Sequence, residues 1–267
     1  MSIDRRVIVL PDKHALAAEA ADRFVATTTR LLRERPAVHV VLTGGSVGIA
    51  VLAAIAAHDQ CTAIDWARVH LWWGDERWVP SGDPERNEGQ ARAALLDHLA
   101  IPAENIHTMP ASDSGMTLDE AAAHYRDELL RAGGGAFPVF AITFLGVGPD
   151  GHIASLFPER PGPTIAEPDV IAVRDSPKPP PERLSLTLPL LNSSERVWLV
   201  LAGADKAAAL GLALAGAATA DVPVAGVGGR ERTVVFIDEA ASAEVPESLI
   251  APTEYWTGAM DQPDWQP

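Results

Sequence analysis

The stretch VFAITFLGVGPDGHIASLFP, Val139 to Pro158, decides how the fold is read. Its first seven residues are an apolar run bounded by glycine, which reads as a buried strand. The run opens into Gly146, Gly148 and Gly151, with Asp150 and His152 set around the last of these. A buried strand that gives way to glycine carries its next side chains to the rim of a sheet, where open α/β sheets place their ligands. There an acid and an imidazole two residues apart can share one task. The carboxylate fixes the tautomer, and the imidazole takes a proton near neutral pH.

Working outward, the same alternation recurs. Val7–Leu10 reads as a strand, and Asp12 as the cap of a helix over about 13–35 that Pro36 closes. Val38–Leu42 is a strand followed by Thr43-Gly-Gly-Ser46 and an apolar helix from Val47 to about His58. Arg68–Trp73 is a third strand, ending at Gly74-Asp-Glu-Arg77. The segment from Asp83 to Asn87 leads into a helix to about Ala100. A short strand is expected at Asn105–Thr108, and a helix with a polar face at Leu118–Ala132.

Beyond Pro158 the pattern loosens. Eight prolines fall between 158 and 181, so a crossing loop or flap is expected there, with a short strand at Val170–Val173. Arg183–Leu188 alternates, with Leu184, Leu186 and Leu188 pointing one way. Arg196–Leu201 and Thr233–Ile237 are strands, and Gly203-Ala-Asp-Lys206 opens a helix to about 215. One domain over 1–267 is expected, its tail from about Glu239 peripheral and Trp256 a candidate anchor. Strand alternating with helix argues an α/β fold whose sheet is mostly parallel and covered on both faces.

Two motifs in this chain mislead. Gly146–Gly151 fits the dinucleotide pattern G-x-G-x-x-G, but that fingerprint needs a long helix behind it, and Pro158, Pro161 and Pro163 forbid one. Gly44–Gly48 fits the serine-hydrolase elbow G-x-S-x-G between a strand and a helix. The HGGG oxyanion signature is absent, and the elbow would come very early in the chain.

Composition narrows the function classes. The chain has 267 residues, 47% of them hydrophobic, ample for a large core. Net charge is −15 with no basic stripe, which argues against nucleic acid as a partner. An anionic ligand would need a locally positive pocket. One cysteine, Cys61, excludes an internal disulfide, and no metal-ligand spacing is present, so no metal is expected. The apolar stretch near the start is too short for a signal-peptide core, and nothing reaches membrane-spanning length. A cytoplasmic enzyme, a monomer or weak homo-oligomer, is the expectation.

Four clusters fall at predicted strand ends. Thr43, Gly44, Gly45 and Ser46 can converge backbone N–H groups at a helix start, a cradle for phosphate or carboxylate. Asp75, Glu76 and Arg77 can position a polar substrate, with Arg77 placed to stabilise an oxyanion. Asp150 and His152 form the third. Arg183 and Lys206 are cations at element edges, and a lysine in a helix's first turn opposes the helix dipole unless an anion sits there. Alone, each cluster also fits an ordinary turn or a solvated charge run.

Together, LTGGS, WWGDERWVP with the downstream ERN, GVGPDGHIASLFP and GADKAAAL resemble the 6-phosphogluconolactonase family, in the right order over about residues 5–240. Glucosamine-6-phosphate deaminases of the same superfamily share the TGG-type and DGH loops. They typically continue with FNEP where this chain has Ser155-Leu-Phe-Pro158, and carry a tyrosine where it has Arg77. The resemblance implies a Rossmann-like three-layer α/β/α sandwich that hydrolyses 6-phospho-D-glucono-1,5-lactone, a phosphorylated sugar lactone, without a cofactor; the alternative is deaminase/isomerase activity. It implies His152 as general base and Asp150 as its orienting partner. Gly44, Gly45, Ser46, Arg183 and Lys206 would lie on the phosphate, and Asp75 and Arg77 near the lactone ring.

Overall fold

Segments of five to seven residues, each built on a short apolar stretch, become the six parallel strands of one sheet. The computed structural model describes residues 5–243 and 245–250, so Trp256 lies outside the described residues. The strands are β1 (Arg5–Leu10), β2 (Val38–Leu42), β3 (Val69–Trp73), β4 (Asp75–Arg77), β5 (Phe140–Gly146), β6 (Val170–Val173), β7 (Arg183–Leu186), β8 (Arg196–Leu201) and β9 (Arg232–Asp238). The helices are α1 (Lys13–Glu34), α2 (Gly45–Ala57), α3 (Asn87–Ala94), α4 (Leu118–Ala132), α5 (Leu188–Asn192), α6 (Ala207–Leu214), α7 (Glu239–Ser242) and α8 (Glu247–Ile250).

Sheet order is β1-β9-β8-β5-β2-β3, every pairing parallel. From β2 the chain winds outward to β3; from β5 it winds the opposite way to β8 and β9. The order therefore reverses between the neighbours β2 and β5, and a crevice opens at their carboxyl ends.

Helices cover both faces, and strand register shows how. Val41 pairs with Trp72 and with Thr143, so these three share a face, and Tyr125 of α4 packs edge-on against Trp72 there. Phe144 points the other way, as do Trp198 beside it and Phe236 beyond, and Phe24 of α1 packs on Phe144. Trp72, Trp73, Trp198, Phe24, Phe144 and Phe236 are all buried, and each such ring stabilises the fold by roughly 2–3 kcal/mol. Local signals set the helix starts: Asp12 accepts from the Ala15 N–H at 2.8 Å, and Thr117 with Glu120 forms a full capping box on α4.

The structure corrects several expectations. The expected strand at Asn105–Thr108 is a 3-10 turn at Ala103–Asn105 followed by one bridge from Ile106 to Leu71. The helix expected to reach Ala100 stops at Ala94, where His98 folds back to bond the Ala93 carbonyl at 3.0 Å. A second sheet, order β4-β7-β6 and antiparallel, joins α4 on its face of the main sheet. In β7 all four residues are buried rather than alternating, because Ser185 is hydrogen-bonded to Leu186 and Ser155 and Arg183 is clasped by neighbouring carbonyls. The strand ends at Leu186, and Leu188 starts α5 instead of continuing it.

Candidate active site

The glycine loop after β2 turns directly into α2. Gly44 is the helix N-cap, Gly45 has φ +79°, and Ser46 lies in the first helical turn, exposed. The left-handed residue is thus Gly45, not the serine as a nucleophile elbow requires, and no hydrogen bond joins Ser46 to a histidine. Thr43 is buried and its Oγ1 accepts from the Gly146 N–H at 3.1 Å, which locks this loop to the end of β5.

On β4 the side chains alternate, and the acidic pair splits. Asp75 and Arg77 share a face with their cross-strand partners Ser185 and Arg183. Asp75 accepts from the Ser155 hydroxyl at 2.7 Å, while Arg77 donates to the Glu85 carbonyl at 2.5 Å. Glu76 points away, into the scaffold. It accepts from the N–H groups of Arg77, Asn87 and Glu88 and lies 3.7 Å from Arg86. Burial pushes its carboxyl up, against the opposing pull of Arg86 and the three N–H donors. Glu76 is therefore the anchor of α3 rather than a second carboxylate for a ligand.

The loop after β5 holds the imidazole. His152 Nδ1 lies 2.5 Å from Asp150 Oδ1, and the ring leans on Phe157 with centroids 4.7 Å apart. Lys178 Nζ is 3.2 Å from that same oxygen and 3.2 Å from Nδ1. With a carboxylate so close, Nδ1 carries the hydrogen, so the ammonium donates to Asp150 and only abuts the ring. Partial burial works to raise the Asp150 carboxyl, but the His152 and Lys178 contacts outweigh it and hold the group far below the usual carboxylate range. Nε2 of His152 has no protein hydrogen-bond partner among the described residues. Gly148 makes room: a Cβ there would sit 2.0 Å from Nδ1 and 2.4 Å from Asp150 Oδ1.

Arg183 starts β7 as expected and is buried. Its Nε donates to the Pro180 carbonyl at 3.2 Å, and Nη2 to those of Lys178 and Pro179 at 3.2 and 2.9 Å. It thereby clasps the proline-rich loop while lying over the Phe157 ring, 5.5 Å from its centroid. Lys206 is the N-cap of α6, a little earlier than the first-turn place read from sequence, and its Nζ is 3.0 Å from Asp205.

These elements meet around one cavity of about 210 Å³ at the carboxyl ends of β2, β5 and β8. Thr43, Gly44, Gly45, Ser46, Asp75, Arg77, His152, Arg183 and Lys206 all line it; Asp150 stands behind His152. Sequence reading missed two of the polar side chains that line it. Lys178 sits in a proline-rich loop with no periodicity, and Asn87, which bonds the Asp75 carbonyl at 2.9 Å, was visible only as part of the ERN motif. Four of the lining side chains are cationic, Arg77, Lys178, Arg183 and Lys206, and one is a carboxylate, Asp75. In a chain of net charge −15 this is the positive pocket an anion requires. Among the described residues no cluster of three His, Cys, Asp or Glu side chains is arranged to hold a metal, and no helix is long and apolar enough to cross a membrane.

The family model described as glucosamine-6-phosphate isomerases/6-phosphogluconolactonase matches residues 11–236. The chain belongs to this family. A 6-phosphogluconolactonase of Streptomyces coelicolor is 46% identical over 258 residues, covering 94% of this chain and 99% of that protein. One from Mycobacterium tuberculosis is 45% identical over 242 residues, 89% and 97% of the two chains. Among solved structures of the family, a 6-phosphogluconolactonase from Thermotoga maritima superposes with a TM-score of 0.77 at 27% identity, covering 88% of this chain and 100% of that one. Membership fits the six-stranded parallel sheet and the TGG and DGH loops at its switch point.

Proposed function

We propose that the cavity hydrolyses 6-phospho-D-glucono-1,5-lactone to 6-phospho-D-gluconate. The observation that carries this reading is an imidazole with one free nitrogen in a cavity whose other charged groups are mostly cations. Relatives named as 6-phosphogluconolactonases along nearly the whole chain support it. The phosphate takes the N–H groups of the 43–46 loop and α2, with Lys206 and the free Nη1 of Arg183. That contact is remote from the reacting carbon and serves to hold it near His152.

Chemistry follows from the tautomer. Asp150 keeps the hydrogen on Nδ1, so Nε2 takes a proton from water as the water oxygen bonds to the lactone carbonyl carbon. Arg77 stabilises the oxyanion that forms. The bond from that carbon to the ring oxygen then breaks, and His152 returns its proton to the departing oxygen. A positioned base supplies about 10²–10⁴-fold and one oxyanion donor about 10²–10³-fold. A δ-lactone is an activated ester, so these suffice without a covalent intermediate.

The test is hydrolysis of the phosphorylated against the unphosphorylated lactone, by wild type and His152→Ala. We predict strong preference for the phosphorylated substrate and a kcat loss of about 100-fold or more in the variant. A variant at wild-type rate with its fold intact removes His152 from the chemistry.

A further inference from the structure

We infer that Lys178 is a positioning residue of the reaction, a counter-charge that keeps His152 in its unprotonated, base-competent form near neutral pH. This rests on the reading above, in which His152 is the base. The geometry raises a problem that Lys178 answers. A carboxylate 2.5 Å from an imidazole orients the ring, but it also attracts a second proton to it. A ring that already holds that proton cannot take one from water. Placing an ammonium on the same carboxylate oxygen, 3.2 Å from it and 3.2 Å from the ring, opposes this directly. Asp150, His152 and Lys178 together are then neutral with the imidazole unprotonated. Without Lys178 the pair carries −1, and protonation neutralises it.

The surroundings make Lys178 the cation best placed for this role. The charged groups facing the dyad come from several elements: Lys178 from the proline-rich loop, Arg183 from β7, Asp75 and Arg77 from β4, and Lys206 from the start of α6. Of the cations, Lys178 is the one with a direct contact to either member of the pair. Arg183 reaches His152 only through the intervening Phe157 ring. Nor is Lys178 left to wander. Its own carbonyl and the next two accept from Arg183, and the Ser176 hydroxyl bonds both its N–H, at 3.2 Å, and its carbonyl, at 2.8 Å. The backbone, held at both polar groups on a loop clasped by a buried guanidinium, starts the side chain from a fixed place, and the contacts to Asp150 and the ring hold the ammonium at its end.

The experiment compares Lys178→Met, which removes the charge at similar length, with Lys178→Arg, which keeps it. Hydrolysis of 6-phospho-D-glucono-1,5-lactone is followed between pH 5.5 and 7.5, where the uncatalysed background is small. In Lys178→Met the acid limb of kcat/KM moves upward by about one pH unit, a loss of about tenfold at pH 6 that shrinks toward pH 7.5. Lys178→Arg restores most of the limb. A second readout, NMR titration of the His152 ring protons in both variants, moves the same way whatever the activity. An unmoved limb and titration in Lys178→Met overturn the inference, as does a loss of equal size at every pH. His152→Ala run in parallel separates the two levels: if it stays active the base assignment falls, whereas an inactive His152→Ala beside an unshifted Lys178→Met removes only the counter-charge.

Discussion

Replacing Gly148 by alanine tests the dyad without touching either of its members. The added Cβ would lie 2.0 Å from His152 Nδ1, 2.1 Å from Cε1 and 2.4 Å from Asp150 Oδ1. Ordinary contact begins near 3.4 Å, so the ring must retreat by more than an ångström and the carboxylate by about one. Gly148 is not among the positive-φ glycines, so the effect is steric and not one of backbone strain. A misplacement of about 1 Å at a reacting group costs on the order of 100-fold in rate. Overpacking costs about 1–3 kcal/mol of stability, which a domain with this core survives. We therefore predict kcat down about 100-fold in Gly148→Ala, with a melting temperature lowered by only a few degrees. Steady-state assay of lactone hydrolysis and a thermal melt measure the two together. A folded variant with kcat within about threefold of wild type refutes the claim that this geometry performs the reaction.

Two further predictions follow from the same coordinates. Lys206→Ala should raise KM about 10–100-fold with little change in kcat, since a charge-assisted hydrogen bond to phosphate is worth about 1.5–3 kcal/mol; an unchanged KM breaks the phosphate assignment. Acid should destabilise the fold through the imidazoles stacked at β2 and β3: burial first, then the neighbouring His70 and His107, lowers His39 from 6.5 to about 4, and His70 is lowered by burial and then by His107. Between pH 6.5 and about 4 the unfolded chain binds a proton the native His39 refuses, so unfolding free energy falls with pH, by at most about 3 kcal/mol for that residue. Urea midpoints at pH 7.5 and 5 measure it, and His39→Gln, which keeps an acceptor for the Trp72 N–H, should flatten the dependence; equal slopes would falsify the assignment.

What was legible in the sequence was what is decided locally. Asp12 caps its helix from three residues away, and Val38–Leu42 and Leu118–Ala132 have the expected bounds. Glycines between a buried strand and a polar pair located the loops of the cavity. The small antiparallel sheet was not legible, because Asp75 finds Ser185 across more than a hundred residues and the three residues of β4 are too few to mark a strand. Period-two alternation over those three could have separated Glu76 from Asp75 and Arg77. Lys178 left no trace, since its place depends on a guanidinium at 183 holding a loop that has no regular structure.

Because all six strands of the main sheet run the same way, the molecule has two unlike ends. The cavity occupies the rim where strands finish. The opposite rim, where they begin, is made of connections such as Gly133–Pro138 before β5 and the residues between α2 and β3. A reporter, a tether or a fused module spliced at Gly134 or Gly135, both turned outward with nothing within 4 Å of an added Cβ, would sit on the far side of the sheet from the cavity. This polarity makes the protein easy to immobilise by one pole with the other left open to solution.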